Sequence, residues 1–138
     1  MIDPDSPLLV FGGPYSNVQA TIAMREVAAY LDLPASNVIC TGDVVAYAAD
    51  PEETVQIIRA WGIHVVAGNC EAQLAEGAAD CGCGFDEGSA CDLLSRGWYP
   101  YALARISENT QTWMASLTPS LHFTYHGLKF CALHGGAQ

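Results

Sequence analysis

Four short apolar runs, each halted by a glycine-bearing polar cluster, constrain this chain more than any other feature. Leu8-Leu9-Val10-Phe11 stops at Gly12-Gly13-Pro14-Tyr15, and Asn37-Val38-Ile39-Cys40-Thr41 stops at Gly42-Asp43. Ile63-His64-Val65-Val66-Ala67 runs into Gly68-Asn69-Cys70-Glu71, and Leu128-Lys129-Phe130-Cys131-Ala132-Leu133 runs into His134-Gly135-Gly136. Such lengths and flanks favour buried strands over helices. Between the first three lie helical patterns. Ala20, Met24, Val27 and Leu31 fall on one helical face, with Asn17 as N-cap and Pro34 as stop. Asp50-Pro51-Glu52-Glu53 opens a second helix with an N-cap, proline at the first helical position and an acid at N3. Its face is Val55, Ile58 and Trp61, and Gly62 closes it. Strand, helix, strand, helix, strand predicts right-handed βαβ units on a parallel sheet, an α/β fold in one domain over residues 1–138.

Later segments differ. Residues 70–92 lose periodicity, so 70–105 reads as an irregular, cysteine-rich excursion, with short helices around 90–105 and 108–117. Residues 121–125 and 128–133 flank His126-Gly127 and predict a hairpin. Composition narrows the partners. The chain is 51% hydrophobic, enough for a core, and its fifteen acidic against five basic residues give a net charge of −10. That charge, with no basic cluster, argues against nucleic acid and anionic membranes. No apolar run reaches the length of a membrane span and no basic leader opens the sequence, so a cytoplasmic location is expected.

In an open α/β sheet, ligands bind outside the carboxyl ends of the strands, where these four polar clusters would converge. Asp43, Asn69 and His134 are competent ligands for a divalent metal. Equally, Gly-Asp and Gly-Asn pairs are ordinary turn and cap chemistry. Cys70, Cys81, Cys83 and Cys91 admit a zinc or iron–sulfur module, although a one-residue gap is tight for two ligands on one ion. Cys40 and Cys131, inside apolar runs, read as small buried core residues. Trp98-Tyr99-Pro100-Tyr101 reads as an aromatic knot that packs the excursion onto the body. His64, His122 and His126 stand alone and receive no chemical role.

Taken in order, Val10 to Asn17, Cys40-Thr41-Gly42-Asp43-Val44-Val45, Val65-Val66-Ala67-Gly68-Asn69-Cys70-Glu71 and Cys131-Ala132-Leu133-His134-Gly135 resemble the calcineurin-like metallophosphoesterases, most of all the small bacterial phosphodiesterase branch. The resemblance implies a βαβ sandwich and metal-dependent hydrolysis of phosphomonoesters or phosphodiesters, by two ions about 3.5–4 Å apart. It implies Asp43, Asn69 and His134 as metal ligands, and Cys70 at the position of a phosphate-assisting catalytic residue. The departures are specific. Gly13 and Tyr15 stand where the family places Asp-x-His, and the Gly-His-x-His motif of the family's C-terminal part is absent. The expectation is therefore at most one divalent ion (Mn, Zn, Fe or Mg) or none, no other cofactor, and impaired or absent hydrolysis of a small phosphorylated ligand. A non-catalytic ligand-binding or interaction domain on the same fold is the alternative. With that C-terminal part absent, a homo-oligomer is expected.

Overall fold

A computed structural model of the chain describes residues 1–78 and 86–136, with the side chains of 91–95 outside the description. Strands β1 (Leu9–Phe11), β2 (Val38–Cys40) and β3 (His64–Val65) form a parallel sheet in the order β1-β2-β3. Val38, Ile39 and Cys40 have no exposed surface, as a central strand covered on both faces requires. Burying each aliphatic side chain contributes roughly 1.5–3 kcal/mol. Asn37 anchors the strand's entry. Its amide nitrogen donates to the carbonyls of Asp3, Ser6 and Pro7, and its oxygen accepts from the Asp3 N–H, tying the N-terminal segment down.

Helix α1 (Val18–Tyr30) starts where expected, because Asn17 Oδ1 accepts the Ala20 N–H at 2.9 Å. Its inward face is not the expected one. Thr21 and Ala28 are buried, whereas Val27 and Leu31 are 49% and 55% exposed. The short side chains at 21 and 28 suit a close approach of the helix, and the larger apolar ones turn outward. Helix α2 (Pro51–Trp61) ends at Gly62 in the left-handed conformation, with Val55 and Ile58 buried and Trp61 stacked on Phe11. The Asp50 side chain makes no capping bond; its carbonyl accepts the Thr54 N–H instead.

Part of the expected irregular excursion is helical. Helix α3 (Asn69–Glu76) begins directly after β3, because Glu71 at its N3 position reaches back to the N–H of Gly68 at 2.9 Å. Eight residues are too few to show a helical period in sequence. Helices α4 (Ala90–Arg105) and α5 (Glu108–Ala115) follow. Trp98 and Tyr99 of α4 are buried as expected, and the Tyr99 and Tyr101 hydroxyls donate to the carbonyls of Ala78 and Ala49.

Strands β4 (Ser120–Tyr125) and β5 (Leu128–Leu133) form the expected hairpin about His126-Gly127, a separate two-stranded sheet. Thr118 bridges to Val66 and accepts the Ala67 N–H, so the hairpin's root lies along the free edge of β3. Cys131 is exposed rather than buried, since β5 lies at the margin and Cys131 pairs with His122 on the polar face. No helix among the described residues is long and apolar enough to cross a membrane.

Candidate functional site

The site grows from the close approach of two strand ends. Gly42 has φ +101°, and a Cβ there would stand 2.5 Å from the backbone nitrogen of Gly68, so only glycine admits the contact. Behind the two loops lies Glu71, fully buried. One carboxylate oxygen accepts the Asp43 N–H at 2.8 Å and the Gly68 N–H at 2.9 Å; the other accepts the Val45 N–H at 3.3 Å. Desolvation and the nearby Asp43 charge raise the Glu71 pKa, against the lowering effect of those three donors. Glu71 thus fixes the positions of the candidate ligands without facing solvent. Its role was open to detection in the Gly68-x-x-Glu71 spacing, a partial capping box.

Asp43 takes a left-handed conformation, φ 54°, on this scaffold. The Cys70 N–H, in the first turn of α3, lies 3.4 Å from Asp43 Oδ1, and a carboxylate at a helix N-terminus is electrostatically favoured. His134, just past β5, returns across 93 residues of sequence to place Nδ1 2.8 Å from the Thr41 carbonyl oxygen. A carbonyl only accepts, so Nδ1 carries the proton and a neutral ring presents a bare lone pair at Nε2. That Nε2 lies 3.5 Å from Asp43 Oδ2 and 3.1 Å from Asn69 Oδ1. Asp43, Asn69 and His134, the three expected ligands, therefore converge.

A carboxylate, an amide and an imidazole brought together in this way are a donor set that a divalent ion can use. Donors bound at about 2.1 Å to one ion stand about 3.0 Å apart along an octahedral edge and about 3.4 Å along a tetrahedral one. The two spacings from His134 Nε2, 3.1 Å to Asn69 and 3.5 Å to Asp43, are close to these values. Among the described residues no group of three or more His, Cys, Asp and Glu side chains is placed to hold a metal ion, and the third polar side chain beside Asp43 and His134 is the Asn69 amide. Asp43 and His134 side chains remain 13% and 31% exposed, enough for access.

Cys70 is 3% exposed, and burial, the Asp43 and Glu71 charges and a hydrogen bond to Asp43 all raise its pKa. A thiol so held is protonated at neutral pH, which suits positioning Asp43 better than nucleophilic attack. Burial likewise pushes the Cys40 thiol up to about 12. Cys81 and Cys83 lie outside the described residues, as does the side chain of Cys91.

Gly13 and Tyr15 sit at the same rim, with the Gly13 N–H on the Gly42 carbonyl and the Tyr15 N–H on the Asp43 carbonyl, both at 3.1 Å. The Tyr15 ring lies back over Gly13, where a Cβ would come within 2.6 Å of it. The two departures are therefore one: the missing side chain at 13 makes room for the ring of 15.

Comparison with solved structures gives the fold its context. A metallophosphoesterase from Sphaerobacter thermophilus superposes with TM-score 0.58 at 16% identity, covering 85% of this chain and 44% of that one. The fold is metallophosphoesterase-like. A hypothetical protein from Pyrococcus horikoshii OT3 superposes with TM-score 0.72 at 14% identity, covering 90% of this chain and 52% of that one. The chain spans about half the length of the solved structures it matches. No family model and no curated protein matches the sequence. At these identities the likeness concerns the metallophosphoesterase-like fold alone.

Proposed function

We propose that this chain, akin to the small bacterial phosphodiesterase branch, binds one divalent metal ion through Asp43, Asn69 and His134 and presents it to the phosphate of a small ligand, with weak or no hydrolysis. The observation that carries the proposal is the orientation of His134. Its Nδ1–H is engaged by Thr41 while Nε2 faces the Asp43 and Asn69 oxygens.

An ion held there would polarise a phosphoryl oxygen and acidify a bound water. The chain's own residues supply the rest. Thr41 fixes the histidine tautomer, Glu71 holds the Asp43 and Gly68 backbones, and Cys70 hydrogen-bonds Asp43. Impaired hydrolysis is supported by Gly13, which offers no donor atom, and by the Tyr15 ring lying over it. A phenol is a poor ligand for a hard divalent ion near neutral pH.

The test is metal stoichiometry by elemental analysis after manganese loading and desalting, beside turnover of an aryl phosphodiester. About one manganese per chain, lost in Asp43→Ala, with turnover near background, is expected. About two per chain with Asp43-dependent turnover would replace the half-site with a working dinuclear centre. No retained metal would leave a non-catalytic binding domain on the same fold.

A further inference from the structure

We propose that Tyr15 and Tyr47 form a platform beside the metal half-site for a flat aromatic group, making the ligand an aryl or nucleoside phosphate rather than an aliphatic one. The phosphate end of this ligand rests on the half-site proposed above; the platform rests on separate observations. Tyr15 and Tyr47 are 41% and 45% exposed, with ring centroids 5.3 Å apart and planes at 72°. Behind Tyr47 the aromatic series continues inward through Trp98 at 5.5 Å to Tyr99 at a further 5.6 Å. The Trp98 indole nitrogen, in a residue only 6% exposed, has no hydrogen-bond partner.

Backbone strain concentrates at the same place. Tyr15, Ser16, Asp43 and Tyr47 all have positive φ, between 33° and 58°, a region costly for side-chain-bearing residues. The strain is held by a dense lattice. Ser16 N–H donates to the Val44 carbonyl at 2.9 Å, Ala48 N–H to the Tyr15 carbonyl at 3.1 Å, and Ala46 N–H to Ser16 Oγ at 3.2 Å. Glycine would adopt these dihedrals without strain, yet the sequence spends tyrosine on two of the four positions and leaves both rings open to solvent.

Position adds the last element. The Tyr15 ring lies over Gly13, whose N–H binds the Gly42 carbonyl next to Asp43. A flat group on the tyrosines would therefore sit beside a phosphate held at Asp43, Asn69 and His134. The net charge of −10 gives a bare anion no long-range attraction, so ring contact supplies the discrimination. Aromatic stacking of this kind is worth about tenfold or more in affinity.

The experiment is calorimetric titration of the manganese-loaded protein with adenosine 5′-monophosphate, phenyl phosphate, glycerol 3-phosphate and adenosine. Both aromatic phosphates are expected to bind about tenfold tighter than glycerol 3-phosphate. In Tyr47→Gly and Tyr15→Gly that affinity ratio should fall towards one. Glycine suits both backbone conformations, so the variants should fold, and far-ultraviolet circular dichroism checks this. Adenosine monophosphate binding tighter than phenyl phosphate assigns the platform to a nucleobase, and equal affinities assign it to any aryl ring. Equal affinities for glycerol 3-phosphate and the aromatic phosphates in the wild type overturn the platform but leave the half-site standing. Adenosine binding lost in Tyr47→Gly, with no manganese-dependent gain from any phosphate, upholds the platform and overturns the half-site.

Discussion

The rim of the parallel sheet and the β4–β5 hairpin solve opposite problems. At the rim, backbone loops interlock around a fully buried carboxylate, and four residues are held in conformations they would not choose alone. In the hairpin the two strands pair regularly and positive φ is confined to the His126-Gly127 turn, but one face carries Leu121, Phe123, Tyr125, Leu128, Phe130 and Ala132, of which Leu128 and Phe130 are 64% and 41% exposed. All fifteen acidic residues lie at or before Glu108, so the hairpin carries no negative side chain on a chain of net charge −10. The rim is strained and polar; the hairpin is apolar and open. His134 joins the two, being delivered by β5 to the end of β2, so the candidate site exists only where both regions meet.

The contrast breaks most visibly at the rim. Gly42→Ala places a Cβ 2.5 Å, 2.8 Å and 2.9 Å from backbone atoms of Gly68 and Val66, at a φ of +101° that alanine tolerates poorly. A loss of about 4 kcal/mol or more is expected, read by denaturant melts. Glu71→Ala strands the N–H groups of Asp43, Val45 and Gly68 in the interior, for a cost of about 3–5 kcal/mol. Either loss is a large share of the roughly 5–15 kcal/mol that stabilises an ordinary domain. A midpoint unchanged in both variants would show that the rim is not the stiff region.

His134→Ala separates the two regions more gently. The variant loses the Thr41 contact and the third donor but leaves both sheets' own bonds intact. A stability loss of about 1 kcal/mol without metal is expected, and the thermal upshift by manganese expected of the wild type should be absent from the variant. An upshift retained at full size would place the metal elsewhere.

Much of this was legible because strand ends announce themselves. Gly-Asp, Gly-Asn and His-Gly after apolar runs located Asp43, Asn69 and His134, and the Gly62 stop and the His126-Gly127 turn fell where local backbone chemistry puts them. The failures share a different cause. The buried face of α1 is set by which side chains are small enough for close approach, at Thr21 and Ala28, and a hydrophobicity pattern points instead to Val27 and Leu31. Cys131 looked like core because its run is apolar, yet burial depends on a third strand or layer that sequence alone does not reveal. The pairing of Gly13 with the Tyr15 ring is a three-dimensional fact: two residues apart in sequence, they read as two independent losses.

The hairpin's exposed face is expected to bind a second copy of the chain. Two bodies of charge −10 repel through their acidic surfaces, and the acid-free hairpin is where they can approach. Phe130, stacked on Phe123 at 5.4 Å, lies on that face. Sedimentation at high concentration should show self-association in the wild type and its loss in Phe130→Ser, with a change in unfolding free energy below about 1 kcal/mol for the monomer. A monomeric wild type would remove the homo-oligomer.

The smallest effect concerns how the hairpin's root is held to the body. Glu52 of α2 accepts the Ser107 hydroxyl at 2.8 Å, the Thr110 hydroxyl at 3.0 Å and the Ser107 N–H at 3.1 Å, clasping the start of α5, the helix that leads to Thr118. Desolvation is the largest single influence on this carboxyl and raises its pKa, but the hydrogen bonds from Ser107, Thr110 and Gln56 together outweigh it and the net shift is downward. A depressed carboxylate contributes stability that is fully present above its unfolded pKa and is lost as pH falls through the folded value. Partial exposure keeps the contribution to about 1 kcal/mol. Stability measured from pH 7 down to pH 3 should therefore fall less in Glu52→Gln than in the wild type, the two curves approaching each other in acid. If the curves run parallel throughout, the clasp carries no charge-dependent stabilisation, and the start of α5 is held by neutral contacts such as the Gln111 amide on the Leu74 carbonyl.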